Sequence, residues 1–107
     1  MTAPTSDKLD KLQQLLARQP GDAFLLYGIA MEYRKLRDFE RAVDFFNRTI
    51  EVDPAYCYAY FHRGQTHELA GDAAAARQSY RDGIAAAERA GDAHAKEELQ
   101  AALEMLG

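Results

Sequence analysis

A chain of 107 residues with net charge -4, its 13 Lys and Arg interspersed among 17 Asp and Glu, lacks the concentrated basic face that nucleic acid or an anionic membrane surface requires. Its single cysteine, Cys57, excludes an intrachain disulfide and suits a reducing compartment; no basic-then-apolar leader opens the chain, and its longest apolar run, residues 23–31, is far below the roughly 20 residues of a membrane span. The expectation is one soluble, cytoplasmic domain rich in Ala, Leu, Glu, Arg and Gln, with Pro4, Pro20 and Pro54 placed where helices begin or end.

The first predicted helix covers about residues 8–19 and sets Leu9, Leu12, Leu15 and Leu16 on one face. The second, about 23–36, and the third, about 39–52, form a unit that recurs in the fourth, about 57–69, and the fifth, about 73–90. An offset of 34 residues pairs Pro20 with Pro54, Phe24 with Tyr58, Leu26 with Tyr60, Tyr27 with Phe61 and Ala30 with Gly64. The same offset pairs Asp38 with Asp72, Ala42 with Ala76, Phe46 with Tyr80 and Ile50 with Ile84.

Asp38 and Asp72 precede apolar-periodic segments and can accept hydrogen bonds from first-turn N–H groups, while Gly71 and Gly91 suit the left-handed residue that ends a helix. Within the fourth helix the alternation of Tyr56, Tyr58 and Tyr60 imitates a half-buried strand. The helical reading is preferred because it accounts for Pro54 before the segment and Gly64 inside it, whereas a strand would have no identifiable partner. The sixth helix, about 93–106, places Ala95, Leu99, Ala102, Leu103 and Leu106 on one face and Lys96, Glu97, Gln100 and Glu104 elsewhere, as the end of a stacked array requires.

Inside the first copy the order Leu26, Ile29, Ala30, Tyr33, Ala42, Phe46, Pro54 follows the tetratricopeptide pattern; the second reads Tyr60, Arg63, Gly64, His67, Ala76, Tyr80, with Glu88 in place of proline. The chain therefore resembles the tetratricopeptide repeat family, as a small bacterial-type member with two full repeats and terminal helices. The resemblance implies an all-α, right-handed solenoid of antiparallel helix pairs forming a single domain. It divides the chain into a partial-repeat helix at 6–22, repeats at 23–56 and 57–90, and a capping helix at 91–107. Ala30 and Gly64 are expected where the second helix of each repeat crosses, against Ala42 and Ala76, with Phe46 and Tyr80 filling the space between successive pairs.

Helical spacing puts Phe24, Tyr27, Met31 and Arg34 on one line and Tyr58, Phe61, Gln65 and Glu68 on the equivalent line of the second copy. Extended peptides or partner helices lie along the first helices of the family's repeats. The resemblance thus maps Phe24, Tyr27, Met31, Arg34, Lys35, Tyr58, Phe61, Gln65 and Glu68, with Leu69 at the edge, onto a concave groove. These rings serve either a partner or packing. Where one branch of the family clamps a terminal carboxylate with Lys and Asn, this chain has Tyr27, Met31 and His62, so that ligand is not expected. A weakly basic rim of Arg34, Lys35 and Arg63 would still attract an acidic segment.

The expected function is a non-enzymatic interaction module for a peptide or helix of another protein. The alternative is a homo-oligomerising element that uses the same groove or the leucine face of residues 9–16. No catalytic residue, metal site or cofactor is expected. His62 and His67 point about 140° apart on a helix, His67-Glu68 has no second histidine at zinc-protease spacing, and Cys57 has no basic neighbour in sequence. The two Ala-Gly-Asp segments, 70–72 and 90–92, are helix stops followed by caps, not phosphate loops.

Overall fold

The computed structural model describes residues 6–107, and Pro4 lies outside them. The described residues form α1 (Asp7–Arg18), α2 (Ala23–Lys35), α3 (Phe39–Val52), α4 (Cys57–Leu69), α5 (Ala73–Ala90) and α6 (Ala93–Leu106), with no strand among them. Five of the helices start on a side-chain cap. Asp38 and Asp72 accept from Arg41 and Ala75 N–H at 3.2 and 3.1 Å as expected, and Ser6, Asp22 and Asp92 do the same for α1, α2 and α6. α4 has no such cap; instead Asp53 accepts from Ala55 N–H at 3.0 Å and Tyr60 donates its hydroxyl to the Pro54 carbonyl at 2.8 Å.

The stops follow equally local rules. Gly71 and Gly91 adopt φ of 83° and 69°, as their position after the helices suggests. Arg37, which stands where the second copy has Gly71, is forced to φ 61°. Pro54 cannot continue a helix, and α3 ends two residues before it. With Glu88 in the corresponding place, α5 runs on for 18 residues to Gly91, against 14 in α3.

Consecutive helices pack antiparallel, and α4 also meets both α2 and α6, so the three share one face of the stack. One core cluster joins α1, α2, α3 and α4 through Leu9, Ile29, Ala30, Ala42, Phe46 and Ala59; the other joins α4, α5 and α6 through Tyr60, Ala76, Tyr80, Ala87, Ala95 and Leu99. Leu12 and Leu16 pack onto the first cluster beside Leu9, leaving only Leu15 of the leucine face exposed.

One packing expectation is sharpened and another needs correction. Gly64 faces the second helix of its repeat as expected, but its nearest neighbour there is Tyr80: a Cβ at position 64 would lie 2.3 Å from the nearest carbon of the Tyr80 ring. Arg63, which replaces Ile29 of the first copy, does not contribute to a basic rim. It donates to Ser79 Oγ at 2.9 Å, Asn47 Oδ1 at 3.0 Å and Asp82 Oδ2 at 3.3 Å, tying α4 to α3 and α5, with its guanidinium carbon 5.4 Å from the centre of the Tyr60 ring. A charge could enter this position because it is fully partnered there.

Candidate functional site

The shared face of α2, α4 and α6 carries three adjoining clefts. The first, of about 410 Å³, lies between α4 and α6: Phe61, Tyr80, Ala101, Ala102 and Met105 supply its apolar wall, and Gln65, Glu68 and Glu98 its polar edge. The second, of about 290 Å³, is lined by Arg34, Gln65, Glu68 and Leu69. The third, of about 420 Å³, reaches α1 through Lys8, Met31, Glu32, Arg34, Lys35 and Leu69. Because neighbouring clefts share lining residues, they form one trough.

Hydrogen bonds fix its floor. Gln65 Oε1 accepts from Arg34 Nη2 at 3.3 Å and lies 3.1 Å from His62 Nδ1, so one amide couples α2 to α4. The Tyr80 hydroxyl, reaching up from α5, donates to the Glu68 carboxylate; burial and that carboxylate push the phenol pKa up. Arg34 Nε is buried with no hydrogen-bond partner among the described residues.

The trough gathers Met31, Arg34, Lys35, Phe61, Gln65 and Glu68, with Leu69, from the nine positions expected of a groove and its edge. Phe24, 70% exposed, and Tyr58, also exposed, stand in the first turns of α2 and α4, away from these clefts. Tyr27 turns inward, its ring 5.0 Å from Tyr56, 5.8 Å from His62 and 6.0 Å from Phe46, and burial pushes its phenol up to about 12. Sequence reasoning missed Lys8, Glu98, Ala101 and Met105. Ala101 and Met105, four apart on α6, form a line beside the buried Ala95 and Leu99, and that line was the available signal.

Burial, reinforced by the Arg34 charge, lowers the pKa of His62, against the opposing pull of its Gln65 bond and of Glu98; burial also lowers that of His67. The unfolded chain therefore takes up these protons first as pH falls. Their contribution to stability is complete above the ordinary histidine range, about 6.5, and is lost below it. Melting temperature should fall between pH 7.5 and 5.5, and fall less for His62→Gln; parallel profiles for the two proteins would remove His62 from this role.

The remaining reactive groups are engaged in packing or in local pairs. The Cys57 thiol is buried, and burial with Asp92 and Asp53 nearby pushes its pKa up, away from the thiolate. His94 Nε2 lies 2.7 Å from Glu98 Oε1. No cluster of three or more His, Cys, Asp or Glu able to hold a metal occurs among the described residues, and none of their helices is long and apolar enough to cross a membrane.

Sequence models of the tetratricopeptide repeat match residues 23–56 and 58–89. A TPR repeat-containing protein of Pseudomonas aeruginosa is 34% identical over 98 residues, covering 92% of this chain and 93% of the relative. A Bordetella parapertussis protein solved in solution has a TM-score of 0.80 at 29% identity, over 95% of this chain and 89% of that one. PcrH, solved in complex with the chaperone binding region of PopD, has a TM-score of 0.83 at 20% identity, over 92% and 74% of the respective chains, a likeness of fold alone.

Proposed function

Since the chain belongs to the tetratricopeptide repeat family, we propose that it is a non-enzymatic interaction module whose trough across α2, α4 and α6 takes a segment of another protein. One observation carries this reading: the cleft walled by the apolar Phe61, Ala101 and Ala102 is open to solvent and has Met105, 90% exposed, at its lip. The fold neighbour PcrH holds a region of a second protein, which supports the same use of the fold here.

Binding would be driven by an apolar side chain of the segment leaving water for the α4–α6 cleft, at about 0.8 kcal/mol for each CH₂ buried. The hydrogen-bonded floor of Arg34, Gln65 and His62 is already ordered, which lowers the entropic cost of recognition. Self-association through α1 is less well supported, because Leu9, Leu12 and Leu16 are already packed against the first core cluster.

The test is selection of random twelve-residue segments displayed on phage, followed by affinity measurement on wild type and on Met105→Glu. Met105 is so exposed that the substitution leaves the core intact, which circular dichroism checks. Selected segments should bind the variant about tenfold more weakly, the equivalent of losing roughly two buried methylenes. Equal affinity for both proteins would place the binding surface elsewhere.

A further inference from the structure

The trough changes charge along its length. At the α6 end Glu68 and Glu98 flank the apolar cleft, and among the described residues neither pairs with Lys or Arg: Glu68 accepts from the Tyr80 hydroxyl and Glu98 sits against His94. At the α1 end stand Lys8, Arg34 and Lys35. Among the described residues Glu32 is the only acidic one lining that cleft, and it is engaged 3.8 Å from Lys8 Nζ and 3.3 Å from Ser6 Oγ. Between the two ends lies the second cleft, which Arg34 and Glu68 both line. A bare apolar groove would be indifferent to the direction and charge of its ligand; a groove with opposite charges at its ends is not.

Resting on the reading above, we infer that the partner is a bipolar segment of another protein, with a large apolar side chain next to a Lys or Arg at the α6 end and an Asp or Glu at the α1 end. The apolar side chain enters the cleft of about 410 Å³ against Phe61 and Met105, and the adjacent cation meets Glu68 and Glu98. The acidic residue meets Lys35 and Lys8. Neighbouring helix axes are about 8–10 Å apart, so the two ends lie one to two helix spacings from each other. An extended chain advances about 3.3 Å per residue, which puts the acidic residue about three to six positions from the apolar one.

Each charge contact is solvent-exposed and worth at most about 1 kcal/mol, so the charges decide orientation and partner choice while the apolar cleft supplies most of the affinity. An acidic segment without the basic-apolar pair would gain only the Lys35 end. A uniformly basic one would be repelled there.

The test sequences the pools of displayed twelve-residue segments enriched by wild type, by Glu98→Lys and by Lys35→Glu. The wild-type pool should carry the apolar-basic pair and the spaced acid. The Glu98→Lys pool should lose the basic preference and the Lys35→Glu pool the acidic one, and synthetic wild-type segments should bind each variant about fivefold more weakly. Segments that bind wild type but not Met105→Glu, yet carry no charge pattern, would overturn this inference and leave the binding trough standing. Segments indifferent to Met105→Glu, or no enrichment at all, would overturn both. Light scattering provides a separate arm: a wild-type dimer that Met105→Glu splits into folded monomers would identify a second copy of this chain as the occupant and refute the bipolar partner.

Discussion

Gly64→Ala is expected to destabilise the protein by about 2 kcal/mol, although alanine is the better helix former. The mid-helix exchange would gain about 1 kcal/mol from propensity alone. Against this, the new methyl would lie 2.3 Å from one carbon of the Tyr80 ring and 2.7 Å from two others. That ring cannot easily yield, being fully buried with its hydroxyl bonded to Glu68. Overpacking of this kind costs about 3 kcal/mol and outweighs the propensity.

In the first copy the equivalent Ala30 is tolerated beside Phe46, which has no hydroxyl to anchor it. Tyr80→Phe should therefore free the ring to shift, so the double variant should lose about 1 kcal/mol less than the sum of the single losses. Urea denaturation of the four proteins measures this coupling. A neutral Gly64→Ala, or strict additivity, would show that Tyr80 is not what holds position 64 small.

The larger loss is expected from Phe46→Ala, at about 3–5 kcal/mol. Phe46 is wholly buried among Ile29, Ala30, Ala42 and Ala59, and its ring is 6.0 Å from that of Tyr27. Three of those neighbours are alanines, too short to collapse into the vacated space, so the cavity persists. For a domain whose total stability is of the order of 5–15 kcal/mol, this removes a large fraction. Phe24→Ala removes the same ring from a site that is 70% exposed and should change stability by less than about 0.5 kcal/mol. Calorimetric melts of the pair decide the matter; comparable losses would contradict the burial assigned to them.

Phe24 and Phe46 also show how far the trough could be read from residue order. Helical spacing put Phe24 and Tyr27 on one line. Tyr27 is drawn between Phe46, Tyr56 and His62, whereas Phe24, one turn earlier, has no comparable ring around it among the described residues. The line was legible, but the neighbour that covers part of it was not. Arg63 was legible as a departure from the repeat, yet its destination depended on Asn47, Ser79 and Asp82 converging from two other helices. On α6, the stripe of Ala95 and Leu99 was read as the face of a cap, while the adjoining Ala101 and Met105 acquire meaning only because Phe61 stands across a cleft from them.

The residue order alone determined the six helices, their caps and the 34-residue recurrence, because these rest on interactions within a few positions: aspartate accepting from the next turn, glycine at positive φ, proline denying a donor. It also determined the stacked architecture, since neither repeat can bury its apolar faces without a neighbour. Only the tertiary structure decided that α6 is a wall of the trough as well as its cap, that Tyr80 sets the size of residue 64, and that opposite charges gather at the two ends. Those features depend on which side chains from separate helices meet, and helical periodicity gives the direction of a side chain without naming what it faces.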